Sequence, residues 1–186
     1  MMKRFNKLLI IITTIFSFII LFATRNIKIY KILLCISILP VMLLPYLIDK
    51  YTKFKIPVYF RTAYIIFIFF SYFLGSIMEF YDKIFLYDKI IHAISGIFTG
   101  ILAYINLKND KKLKLSKLNK LIYIIAFSMF IATLWEFFEY GSDLIFKGDA
   151  QKVLNTGIND TMQDMLVALF GCILYITFNR KKINEL

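Results

Sequence analysis

Cysteine is almost missing from this chain. Cys35 and Cys172 are the only two, far apart and each inside an apolar run. A disulfide framework or a thiolate metal site needs more cysteines or closer ones, so both read as small core residues. There is one histidine, His92, and one tryptophan, Trp135. Acidic residues number 12 against 23 basic ones, for a formal net charge of +11. Several catalytic signatures are also missing. No Gly-x-Ser-x-Gly, His-Glu-x-x-His, P-loop or Rossmann glycine pattern occurs, which removes the common serine hydrolases, zincins and nucleotide folds. No nucleic-acid motif accompanies the positive charge, so no nucleic-acid partner is expected.

What the chain has in quantity is apolar surface. Of its 186 residues, 60% are hydrophobic, and Phe (20) and Tyr (12) are abundant; mean hydropathy is +0.71. Soluble domains carry about 45–50% apolar residues. The composition selects an all-α, multi-pass membrane protein whose main partner is the lipid bilayer. A span needs about 20 apolar residues, and six such stretches occur: 8–24, 27–48, 62–79, 88–107, 121–140 and 160–178. Pro40 and Pro45 inside the second predict a kink. No small-x-small cleavage site follows the first run, so it reads as a span and not a signal peptide. Residues 1–60 form a two-helix membrane hairpin in this reading, and residues 61–186 a four-helix core.

Basic residues set the expected topology. The N-terminal segment, the loops around Lys50–Arg61 and Lys108–Lys120, and the tail Arg180–Lys182 hold 16 of them; the alternate loops hold 7. The positive-inside rule then places both termini in the cytoplasm of a bacterial inner membrane.

Nine of the 12 acidic residues fall beside the opposite, extracytoplasmic ends of four spans: Glu79, Asp82, Asp88, Glu136, Glu139, Asp143, Asp149, Asp160 and Asp164. Carboxylates at membrane depth are expensive and mark function. Residues four apart share a helix face, so Asp88 and His92 can address one partner, as can Asp160 and Asp164. Glu136, Glu139 and Asp143 also share a face. Small residues continue these stripes (His92, Ser95, Gly96, Thr99 and Ala103; Tyr72, Gly75, Ser76 and Glu79), which permits close packing. Several carboxylates in a low-dielectric interior need protons or a cation among them.

Carboxylates with one histidine suit a hard or borderline divalent metal: Mg, Mn, Fe or Zn. The candidate ligands are Glu79, Asp88, His92, Glu136, Glu139, Asp160 and Asp164, with Glu136, Asp164 and His92 as candidate catalytic groups. Simpler readings stand beside these. Asp82 and Asp149 read as solvated loop acids, Asp88 and Asp160 as helix caps, Lys83 or Lys89 as partners for any of them, and Trp135 as an interface anchor.

Two stretches repeat. Met78-Glu79-Phe80-Tyr81-Asp82 resembles Trp135-Glu136-Phe137-Phe138-Glu139, and Asp88-x-x-x-His92 resembles Asp160-x-x-x-Asp164. Spans three-four and five-six therefore read as two copies of one hairpin, each closing and reopening a helix on the same side.

Tyr87-Asp88-Lys89-x-x-His92-x-x-x-Gly96, Trp135-Glu136-x-x-Glu139 and Asp160-Thr161-x-x-Asp164-Met165 together resemble the YjdF-like bacterial inner-membrane proteins, over about residues 60–178. More distantly the chain is similar to VanZ-like envelope proteins, which share an Asp-Lys-x-x-His helix start. The resemblance implies a bacterial membrane protein with these polar residues as its signature, and an envelope setting, but no reaction. The chain departs from the closer family at Thr156-Gly157-Ile158-Asn159, where Gly-Asp-x-Trp is expected. Three functions stand as expectations: a divalent-cation site acting on a lipid-linked or envelope substrate, a proton- or cation-coupled transporter, or an accessory protein whose polar cluster locks helix packing.

Overall fold

A computed structural model describes residues 2–24, 28–110 and 115–186. Ile27, the expected start of the second span, and Arg25, Lys111, Lys112 and Lys114, counted in the charge asymmetry, lie outside the described residues. The described chain is helical throughout. The helices are α1 (Met2–Ala23), α2 (Ile29–Tyr51), α3 (Val58–Ile68, continued by a π-helix, Phe69–Ile77), α4 (Phe80–Lys83), α5 (Tyr87–Asn109), α6 (Lys117–Phe146), α7 (Val153–Thr156) and α8 (Asn159–Asn184). Six are long and apolar enough to cross a membrane: α1, α2, α3 with its π segment, α5, α6 and α8. The expected number and order of spans hold. Helices suit lipid because each satisfies its own backbone polar groups.

The chain divides into two compact units, Met1–Tyr87 and Asp88–Leu186. In the first, α1, α2 and α3 bury Ile10, Cys35, Ile38, Met42, Ile65, Ile68, Phe73 and Ile77. Pro40 and Pro45 lie inside α2 without splitting it. Pro45 has no N–H to give the carbonyl of Val41; the Tyr64 hydroxyl of α3 donates to that carbonyl instead, at 3.0 Å. The third span ends in a π-helix, and the chain then turns at Glu79, whose φ is 64°. Neither feature follows from hydropathy, since the widened turn leaves the apolar pattern intact.

In the second unit α6 and α8 pack along their lengths around Ala103, Leu107, Ile124, Cys172, Ile176 and Ile183. Cys35 and Cys172 are both buried and unpaired, as small core residues are. At two points α5 and α8 come too close for a side chain. A Cβ on Gly96 would stand 1.9 Å from the Ala168 carbonyl oxygen, and one on Gly171 would stand 1.9 Å from that of Ala93. Only hydrogen fits at both places, so two backbones meet where each helix offers a glycine. Contacts with α6 fix the third side. The Thr99 and Ser128 hydroxyls are 2.5 Å apart, and the Asn106 amide donates to the Tyr123 hydroxyl at 2.6 Å.

One expected boundary is corrected. Glu136 does not close its helix: α6 runs on from the expected end at Tyr140 to Phe146. Gly141, Ser142 and Asp143 lie inside the helix, because its i, i+4 bonds need no apolar residues to continue. The Met78–Asp82 and Trp135–Glu139 stretches therefore differ in backbone, one breaking at Glu79 and the other helical throughout.

Candidate functional site

The α5–α8 crossing decides what lies one turn before it. His92 precedes Gly96 by four residues, and Asp164 precedes Ala168 by four. Both side chains are held against the neighbouring helix, and both are buried. His92 Nε2 lies 3.5 Å from Asp88 Oδ1 and 3.9 Å from Asp164 Oδ1. Among the described residues, Asp88, His92 and Asp164 form the one group of three whose ligand atoms could hold a metal ion, all within 4.8 Å of one another. Ligands about 2.0–2.2 Å from a Zn or Mg ion sit about 3–3.5 Å apart, so a small contraction would bring these three onto one ion.

A cation of the protein's own is already there. Lys89 Nζ donates to Asp160 Oδ1 at 2.6 Å and to Asp164 Oδ1 at 2.8 Å, and lies 3.6 Å from Asp88 Oδ2. Lys152 Nζ is 3.4 Å from Asp88 Oδ2. Asp160 is thus ion-paired across helices to Lys89, and Asp88 to its neighbour Lys89 and to Lys152 of the loop. Asp164 Oδ1 is the atom both Lys89 and a bound metal would use.

Glu136 of α6 is 4% exposed. One carboxylate oxygen, Oε1, is buried without a hydrogen-bond partner. Gln151 is the link between α6 and α8: its amide nitrogen is 3.5 Å from Glu136 Oε2 and 3.3 Å from the Thr161 hydroxyl. Asp143 holds that loop, accepting from the N–H groups of Ala150 (2.7 Å) and Gln151 (3.1 Å). Four carboxylates (Asp88, Glu136, Asp160, Asp164) set against two ammonium groups (Lys89, Lys152) leave a formal charge of −2 when all are ionised. Glu139, close enough to interact with Glu136, Asp88 and Asp164, adds to this charge when ionised, so a cation bound here would offset it.

Other expected site residues have other partners. Glu139 accepts from the indole N–H of the exposed Trp135 at 2.8 Å. Glu79, in the first unit, is ion-paired to Lys31 and to Lys83, and these bonds hold its carboxyl below the usual glutamate range. Asp82 is exposed, as a solvated acid would be. Asp149 instead accepts from the Leu154 N–H at 3.1 Å. Thr161, on α8, already stands in the Asp160-Thr161-x-x-Asp164 motif, but residue type and spacing do not reveal Gln151 or Lys152, because a single polar loop residue carries no periodic signal. They mark Lys89 only as a pairing partner; its place inside Asp-Lys-x-x-His is the available signal.

With this geometry in view, comparison with known proteins adds a family and no chemistry. The family model described as "Predicted membrane protein (DUF2238)" matches residues 5–182. An uncharacterised protein of Thermotoga maritima is 28% identical over 129 residues, covering 69% of this chain and 65% of that protein. The chain thus spans just under two thirds of that relative's length. No solved structure matches.

Proposed function

We propose that this chain, which belongs to the DUF2238 family of predicted membrane proteins, binds one divalent cation within its second unit. The observation that carries this reading is the convergence of Asp88, His92 and Asp164 near the starts of α5 and α8, with one ligand atom of each within 4.8 Å of the others. Mg, Mn, Fe and Zn all accept such an oxygen and imidazole set. Asp160 and Glu136 stand around it, and Glu136 Oε1 is an unpaired buried acceptor available to a metal-bound water or to a proton. In this proposal the site opens to the extracytoplasmic face and acts on a lipid-linked or envelope substrate. The likeness of Asp88-Lys89-x-x-His92 to VanZ-like envelope proteins supports that setting. A metal in such a site lowers the pKa of bound water and supplies a nucleophile at neutral pH. Asp88, His92 and Asp164 would hold the ion, and Glu136 would take the proton.

The test is metal content. Protein purified in detergent without chelator is expected to carry about one equivalent of a divalent metal by inductively coupled plasma mass spectrometry, and His92→Ala/Asp164→Ala, checked for equal helicity, to carry none. No metal in the wild type, even after dialysis against Mg, Mn and Zn, would defeat the reading.

One observation favours a second reading. Lys89 bridges Asp160 and Asp164 within hydrogen-bond distance, so the cluster can be neutralised internally and serve helix packing, or pass protons as a carrier would.

A further inference from the structure

The first unit contains a cavity of about 350 Å³ between α1, α2 and the start of α3. Its polar lining is almost all cationic or donor-bearing: Lys3, Asn6, Lys7, Tyr46 and Arg61. The remaining wall is apolar, with Ile10, Leu43 and Val58. Lys3 and Lys7 are exposed, and among the described residues no carboxylate lies within 4.0 Å of either. Arg61 is oriented from two sides: its guanidinium bonds Asp49 Oδ2 at 3.0 Å and lies 5.2 Å from the Tyr46 ring centre. Asp49 is itself tied down, accepting from the Ile56 N–H at 2.7 Å. Arg61 Nε is nevertheless buried with no acceptor. Asn6, 1% exposed, makes only a 3.4 Å contact to the Tyr46 hydroxyl, and its Oδ1 has no partner.

The pattern is positive charge in excess of what the protein pairs, with one orphaned donor, Arg61 Nε, and one orphaned acceptor, Asn6 Oδ1, beside an apolar slot. Of the three cations in the lining, only Arg61 is paired with a carboxylate, Asp49, among the described residues. A buried donor without an acceptor is unfavourable, so Arg61 Nε favours an acceptor from outside the chain. The occupant has to be anionic at one end and apolar at the other, and the segment belongs to a membrane-spanning unit. We infer that this cavity is a binding site for an anionic phospholipid, with its phosphate among Lys3, Lys7 and Arg61 and an acyl chain along Ile10, Leu43 and Val58. Basic pockets between membrane helices take such headgroups. The inference is independent of the metal proposal, because every residue it uses lies in the first unit.

Native mass spectrometry of the full chain, with phosphatidylglycerol and phosphatidylcholine supplied in equal amounts, tests it. One phosphatidylglycerol is expected to be retained in preference. Each basic residue near a headgroup is worth about fivefold in binding, so Lys3→Gln/Lys7→Gln is expected to lower that preference by about 20- to 30-fold. A second variant, Val58→Trp, fills the slot while leaving every charge in place, and is expected to abolish retention. The matched control Lys117→Gln/Lys120→Gln removes equal charge in the other unit and is expected to change nothing. Equal retention of both lipids by the wild type would overturn the inference. So would an equal loss in the control pair, or unchanged retention in Val58→Trp. Displacement of the lipid by inorganic phosphate at comparable concentration would show a site for free phosphate instead, and would overturn it too.

Discussion

Lys89 is the residue on which the two readings of the polar cluster part. Its ammonium reaches Asp160 at 2.6 Å and Asp164 at 2.8 Å, with all three side chains largely out of solvent. Removing one partner of a buried ion pair leaves a bare charge and costs about 3–5 kcal/mol. Lys89→Gln is therefore expected to lower the detergent melting temperature markedly. Added metal separates the two readings. If Asp164 Oδ1 belongs to a metal site, the variant has lost a competitor for that oxygen, and a divalent metal can take its place. Metal at about 100 times its dissociation constant would return about 2.7 kcal/mol. Rescue of Lys89→Gln by Mn or Zn, with little effect of the same metal on Lys89→Gln/His92→Ala/Asp164→Asn, is the expected result. A melting temperature indifferent to every metal would leave Lys89 as the cluster's own cation and the cluster as a packing device. Glu136 fits either account, since a buried oxygen without a partner invites a proton as readily as a metal-bound water.

At the scale of elements, the site depends on how closely α5 and α8 approach. Gly96 and Gly171 each face a carbonyl oxygen at 1.9 Å from where a Cβ would stand. A backbone atom cannot swing aside as a side-chain tip can, so alanine at either position forces the helices apart. Overpacking of this kind costs about 1–3 kcal/mol, and it moves Asp164 away from His92 one turn earlier. Gly96→Ala is thus expected to lose stability and bound metal together. Gly141→Ala in α6 meets nothing within 4 Å, and is expected to be neutral or to gain up to about 1 kcal/mol from helix propensity. Thermal melts and metal analysis of the two variants check this; equal behaviour would mean that the crossing does not set the site. Gly96 and the carboxylate pairs were legible in the sequence because helical spacing puts them on one face. The loop that completes the site was not. Gln151 is placed by the Asp143 carboxylate through two backbone N–H groups, and a backbone donor looks the same at every position of a sequence. The π segment was hidden for a related reason: Phe69–Ile77 is as apolar as an α-helical span, and only its hydrogen bonding distinguishes it.

For the whole molecule, apolar length carries most of what the sequence can say. Six spans were legible because bilayer thickness dictates about 20 apolar residues, and no loop is long enough to confuse the count. Span ends were less so, as α6 illustrates, because a helix leaving the membrane keeps its hydrogen bonds while its composition changes. Which face the site meets rests on charge alone. In the second unit, the polar cluster lies at the start of α8 and Arg180, Lys181 and Lys182 lie at its end. With 26 residues, α8 is about 39 Å long at 1.5 Å per residue, enough to put these two groups on opposite sides of a hydrocarbon layer of about 30 Å. The positive-inside rule would place the basic end in the cytoplasm, and in that proposed orientation the cluster faces outward. Both native cysteines are buried, which leaves them silent to a bulky, membrane-impermeant maleimide. Cysteine placed at Leu154, 83% exposed just before α8, is therefore expected to label in intact cells. Cysteine placed at Lys182 is expected to label only after the membrane is opened. The reverse pattern would turn the carboxylates toward the cytoplasm, and with them the substrate: an envelope or lipid-linked molecule presented from outside could no longer reach Asp88, His92 and Asp164, and only a cytoplasmic ligand could.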